Sequence, residues 1–167
     1  MRVICPYTRI SPATREALDS SGYAWEPHDV SGSDDAYWGV LAGLWAAGED
    51  FAVVEHDIIP APGALASFEA CAHGWCSCPY PYLAGTYAGL GCTRFRAGLI
   101  ARQPDLMDVV ATMSNDSHPP KSWCTLDAWI QVVLRQRGEN MCTAHPEAGH
   151  PSRSPSHGCV PGYPPRT

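Results

Sequence analysis

Residues 51–60, "FAVVEHDIIP", constrain the fold of this chain more than any other stretch. Phe51, Ala52, Val53 and Val54 lead in, Ile58 and Ile59 follow, and Glu55, His56 and Asp57 stand between them. A short, uninterrupted apolar run is the pattern of a strand covered on both faces, as in a sheet with helices on either side. Charge sits badly there, because an unpaired carboxylate in a low-dielectric setting costs several kcal/mol. At strand spacing Glu55 and Asp57 fall on one side and His56 on the other, which makes His56 a bystander. Two acids sharing a side repel each other unless a cation lies between them. A divalent ion with oxygen ligands, Mg²⁺ or Mn²⁺, is the simplest partner. The competing reading is a polar turn in which each group finds a backbone donor or solvent. The apolar residues on both flanks favour a site.

The elements around the motif follow an α/β order. "RVICPY" reads as a first strand ended by Pro6, and "SPATREALDSSG" as a helix capped by Ser11 with Pro12 in its first turn. "YAWEP" is a brief strand. "SDDAYWGVLAGLWAAGED" is a helix with Ser33 as cap, Asp34 and Asp35 at its positive end, and Gly48 as stop. Pro62 opens a helix carrying Leu65, Phe68 and Cys71, and "WCSCPYPY" is extended. "TRFRAGLIARQ" and "PDLMDVVATM" read as two short helices. "WCTLDAWIQVVLRQRG" is the strongest helix, with an apolar stripe from Leu126 to Leu134, and "NMCTAH" returns as a final strand. Helices alternating with buried strands predict an α/β fold, a central sheet flanked by helices. One domain spans residues 1–150, and residues 151–167 form a Pro-rich tail, disordered or draped over the surface.

The 167 residues carry a formal net charge of −6, which argues against broad electrostatic binding to nucleic acid or anionic membrane. Arg94, Arg96 and Arg102 fall in one segment and are candidates for a local basic strip. No apolar run has the length of a membrane span, and Pro6 and Arg9 interrupt the N-terminus where a signal peptide needs its apolar core, so the expectation is a soluble, cytoplasmic protein. Eight cysteines in such a setting are expected to be reduced. "CAHGWCSC" groups Cys71, His73, Cys76 and Cys78, which are zinc-capable ligand types without the usual pair of separated C-x-x-C knuckles.

"FAVVEHDIIP", preceded by the "YWGVLAGLW" helix, resembles the strand and metal motif of nucleotide-sugar glycosyltransferases of the GT-A fold, with Glu-His-Asp as a variant of Asp-x-Asp. "GLGCTRF" resembles the glycine-containing strand that lines their sugar pocket. "WCTLDAWI" resembles their later acidic position at a helix start, and the histidines after "NMCTAH" resemble the one that completes the metal site. The likeness is greatest to small glycosyltransferase-like proteins of phages, which would place the chain in a host cytoplasm.

The resemblance implies a minimal GT-A-like sheet, a Mn²⁺ or Mg²⁺ cofactor, and a UDP- or GDP-type nucleoside-diphosphate sugar as donor. It gives Asp57 the metal-ligand role, Glu55 a supporting role at the ribose or metal, and His145 or His150 the third ligand position. Pro6, Tyr7, Thr8 and Asp35 fall at the nucleotide pocket, and Asp127 becomes the general base. Two departures stand out: the metal motif arrives early in the chain, and Leu126 precedes Asp127 where the family has an acidic pair. The acceptor stays open among a hydroxymethylated DNA base, a protein side chain and a surface glycan. Three rivals also stay open. They are a zinc-binding interaction module on Cys71, His73, Cys76 and Cys78, a degenerate copy that binds nucleotide without turnover, and a metal-dependent hydrolase or nucleotidyl enzyme.

Overall fold

A computed structural model describes residues 1–82 and 85–150; the tail expected at 151–167 lies outside them. The strands are β1 (Arg2–Tyr7), β2 (Trp25–Asp29), β3 (Phe51–Val54), β4 (Trp75–Ser77), β5 (Tyr80–Tyr82), β6 (Gly85–Tyr87) and β7 (Cys92–Phe95). The helices are α1 (Pro12–Asp19), α2 (Ala36–Ala47), α3 (Ala64–Ala70), α4 (Ala97–Arg102), α5 (Leu106–Val110) and α6 (Trp123–Gln136). Five strands form one sheet in the order β2-β1-β3-β7-β4, and β5 pairs with β6 separately. β1 runs parallel to β2 and β3, while β7 is antiparallel to both its neighbours, so it alone is reversed.

Alternation along the strands divides the interior into two clusters. Ile4, Phe51, Val53, Trp75 and Phe95 face a layer built from α2, α4, α5 and α6, where Leu41, Trp45, Leu99, Leu106 and Leu126 are buried. Val3, Cys5, Ala52, Val54, Cys76 and Cys92 face α1 and α3, through Leu18, Leu65 and Phe68. The result is the expected α/β architecture, a mostly parallel sheet covered by helices on both sides. α1 forms as expected, with the Ser11 hydroxyl accepting from the Thr14 N–H at 3.0 Å.

Four local expectations change. "TRF" is the strand β7, as its glycine-containing likeness implied, not the start of a helix; it is hydrogen-bonded on both sides, and the arginines at alternate positions disguise its apolar face. "NMCTAH" forms no strand. Its partner β4 is a three-residue edge, and the ladder is reduced to one bridge between Cys76 and Cys142. Helix α2 begins at Ala36, because the Ser33 hydroxyl donates to Asp35 Oδ1 rather than capping the helix. β3 ends at Val54, and the Ile58 N–H closes a turn onto the Glu55 carbonyl at 3.0 Å, so strand alternation does not reach Asp57.

Candidate active site

The carboxyl ends of β1, β3 and β4 and the start of β7 share one rim of the sheet, since Val54 opposes Cys92 and Ser77 opposes Thr93. Glu55 leaves β3 at this rim with its N–H bound to the Gly91 carbonyl at 2.8 Å. Its carboxyl is pushed up to about 8, first by burial and then by the negative charges of Asp57 and Asp127; interaction with the Tyr37 hydroxyl opposes the rise. That hydroxyl is buried and otherwise without a hydrogen-bond partner. Asp57 Oδ2 lies 3.3 Å from His150 Nε2, and the Tyr80 ring stacks on the His150 imidazole. The Ile59–Gly149 bridge brings the two chain segments together there.

Asp127 lies near the start of α6 and is held from several directions. Tyr87 donates its hydroxyl to Oδ2 at 2.8 Å, and Gln131, one turn later on the same helix face, donates Nε2 to Oδ1 at 3.0 Å. Burial raises its pKa, while Gln131, Tyr87, the Leu90 N–H and the charge of Arg135 hold the rise back. A carboxylate kept basic and rigidly oriented is suited to take a proton.

The loop "GLG" is fitted to these side chains. A Cβ at Gly89 would fall onto the Asp127 carboxylate, and one at Gly91 would meet the Tyr80 ring at 2.7 Å. The Gly89 carbonyl is anchored by the buried Ser77 and Thr93 hydroxyls. Gly89→Ala is therefore expected to push Asp127 off its donors. The overpacking should cost about 1–3 kcal/mol, read as a lower melting temperature.

The other expected site residues are more scattered. Pro6, Tyr7 and Thr8 end β1 at the same rim, running from buried through half-buried to exposed. Asp35 is exposed and accepts the Ser33 hydroxyl at 2.6 Å. His56 packs edge-on against Trp123. His150 joins Asp57, whereas His145 joins a different group: its Nδ1 bonds Ser67 Oγ at 2.9 Å and its ring meets Phe68 edge-on. No basic strip forms from Arg94, Arg96 and Arg102. Arg94 is 1% exposed, Arg96 bonds the Glu69 and Cys71 carbonyls, and Arg102 forks onto Glu139.

Tyr37, Tyr80, Tyr87 and Gln131 were not foreseen as part of the site. Of these only Gln131, four residues after Asp127, carried a sequence signal. A groove of about 550 Å³ between α1 and residues 59–66 contains none of the three acids.

No family profile matches the chain, and no curated protein does. Among solved structures, it is similar to a glycosyltransferase involved in the glycosylation of the major capsid of PBCV-1, with a TM-score of 0.57 and 10% identity over 92% of this chain and 94% of that one. It is also similar to A197 from STIV, with a TM-score of 0.54 and 8% identity over 89% of this chain and 80% of that one. The class of fold is thus one that a glycosyltransferase adopts, and at these identities the likeness is one of fold.

Proposed function

We propose that the chain is a glycosyltransferase that moves a sugar from a UDP- or GDP-type nucleoside-diphosphate sugar to a hydroxyl acceptor. The observation that carries this reading is the gathering of Glu55, Asp57 and Asp127 at one rim of a sheet whose fold a glycosyltransferase shares. In open α/β sheets this rim, beyond the carboxyl ends of the parallel strands, is where ligands bind.

The donor set fits a metal of the Mn²⁺ or Mg²⁺ kind. Asp57 and Glu55 offer hard oxygens, His150 an imidazole nitrogen that favours Mn²⁺, and the burial of Glu55 beside two other acids favours a cation among them. Bound there, such an ion would neutralise the charge that develops on the diphosphate leaving group. Asp57 and His150 would hold the ion, Glu55 would steady it or the ribose, and Pro6, Tyr7 and Thr8 would border the nucleotide. Asp127 takes the proton of the acceptor hydroxyl, aimed by Tyr87 and Gln131. Engagement of Arg94, Arg96 and Arg102 within the fold removes the electrostatic support for a DNA acceptor and favours a glycan or protein hydroxyl.

A thermal-shift panel of nucleoside diphosphates, with and without Mn²⁺, tests the assignment. Stabilisation by UDP or GDP only in the presence of Mn²⁺, abolished in Asp57→Ala, is the expected result. Indifference to every nucleotide in the panel would overturn it.

A further inference from the structure

We infer that Cys71, Cys76, Cys142 and His145 form a second metal centre, of the zinc class, separate from the carboxylates. Among the described residues, two groups of three side chains bring ligand atoms within 4.8 Å of one another: Cys71, Cys76 and His145, and Cys71, His73 and Cys142. They share Cys71. The segment carrying Cys142 is already laid against β4: Cys142 and Cys76 are bridged, the Cys142 N–H bonds the Trp75 carbonyl, and the Ser77 N–H bonds the Cys142 carbonyl. Swinging Cys142 Sγ toward Cys76 closes a set of three sulfurs and one nitrogen, a usual tetrahedral zinc complement. Cys78, which the sequence grouped with Cys71 and Cys76, belongs to neither triad.

Two features around the cluster point to a ligand. The first is the tautomer of His145. Ser67 Oγ gives its proton to the Ala64 carbonyl at 2.6 Å, so it can only accept from the imidazole at 2.9 Å. That fixes the proton on Nδ1 and leaves Nε2 as a bare lone pair, and Nε2 is buried without a partner. A metal-binding histidine is oriented in the same way, by a hydrogen bond from its other nitrogen.

The second feature is Arg94. It is 1% exposed, it donates to the Cys71 and His73 carbonyls and to Cys76 Sγ at 2.9 Å, and among the described residues it forms no ion pair with a carboxylate. A buried cation needs a counter-charge. Three thiolates around a divalent ion leave one net negative charge beside it, which meets that need. The centre would staple the segment 141–150, and with it His150, to the sheet.

The test is metal analysis of the full-length protein purified under reducing conditions, followed by Co²⁺ titration of the chelated protein. Equimolar zinc is expected, as are an intense thiolate-to-cobalt charge-transfer band and tetrahedral d–d bands. Cys71→Ser and Cys142→Ser should lose the charge-transfer intensity, His145→Ala should shift the d–d bands, and His73→Ala and Cys78→Ser should leave both unchanged. Cys142→His, which keeps a ligand, should retain the metal with a shifted spectrum and guards against simple misfolding. Asp57→Ala should leave the cobalt spectrum intact, so failure here is distinct from failure of the glycosyltransferase reading. Absence of zinc with no charge-transfer band, a Cys71–Cys76 disulfide under these conditions, or equal loss in Cys78→Ser would each overturn the inference.

Discussion

Asp127→Asn is expected to lower turnover about 10²–10⁴-fold, the range a positioned general base supplies. Release of nucleoside diphosphate from a UDP- or GDP-sugar in the presence of acceptor is the readout. The amide keeps the size of the carboxylate and one oxygen for Tyr87 or Gln131, so the local packing of α6 is preserved. The Mn²⁺-dependent thermal shift with nucleotide should persist, because the proposed donor site is built on Glu55 and Asp57 and not on Asp127. The wild-type rate should climb with pH through the raised pKa of Asp127, and the residual rate of the variant should lose that limb. A variant that turns over like wild type would remove Asp127 from the chemistry.

Metal-free protein is expected to become less stable as pH rises from about 4.5 to about 8, the interval between the ordinary and the folded-state pKa of Glu55. The sign follows from proton binding. In this interval the folded chain keeps the Glu55 proton while the unfolded chain has released it, so raising the pH favours unfolding. The stabilising contribution is complete below the ordinary glutamate pKa and exhausted above about 8. At about 1.4 kcal/mol per unit of pKa the loss is on the order of 3–5 kcal/mol, much of a typical domain's margin. Chemical denaturation at a series of pH values measures it. Glu55→Gln should flatten most of the slope and raise stability at pH 8, and Mn²⁺ should restore wild-type stability there by mass action. A flat wild-type profile would show that Glu55 is not buried as a neutral acid.

Much of the architecture was legible in the chain itself. The four apolar residues of β3, the Ser11-Pro12 entry to α1 and the stripe of α6 are local signals, and each element formed where those signals placed it. β7 was harder to read by pattern, because Arg94 is long, charged and buried; its guanidinium donates to carbonyls and a sulfur that only tertiary contact supplies. The candidate site was half legible. Glu55 and Asp57 announced themselves as charge after an apolar run, and Asp127 through its resemblance, but the tyrosines did not. Tyr37, Tyr80 and Tyr87 come from three separate elements, and nothing in their spacing shows that they meet around the acids. The two histidines could not be told apart either. His145 and His150 are five residues apart, and which one reaches Asp57 depends on the Ile59–Gly149 bridge.

The reversal of β7 has a consequence for chain length. In an all-parallel sheet every step between neighbouring strands must cross back to the opposite edge, usually through a helix of a dozen residues or more. Here β4 ends, and β7 begins, at the same rim, so the connection between them starts and finishes there without a crossover. That one connection carries Tyr80, Tyr87, Gly89 and Gly91, each of which touches or shapes the cluster of acids. A single inverted strand thus turns what would have been scaffold into one wall of the candidate site.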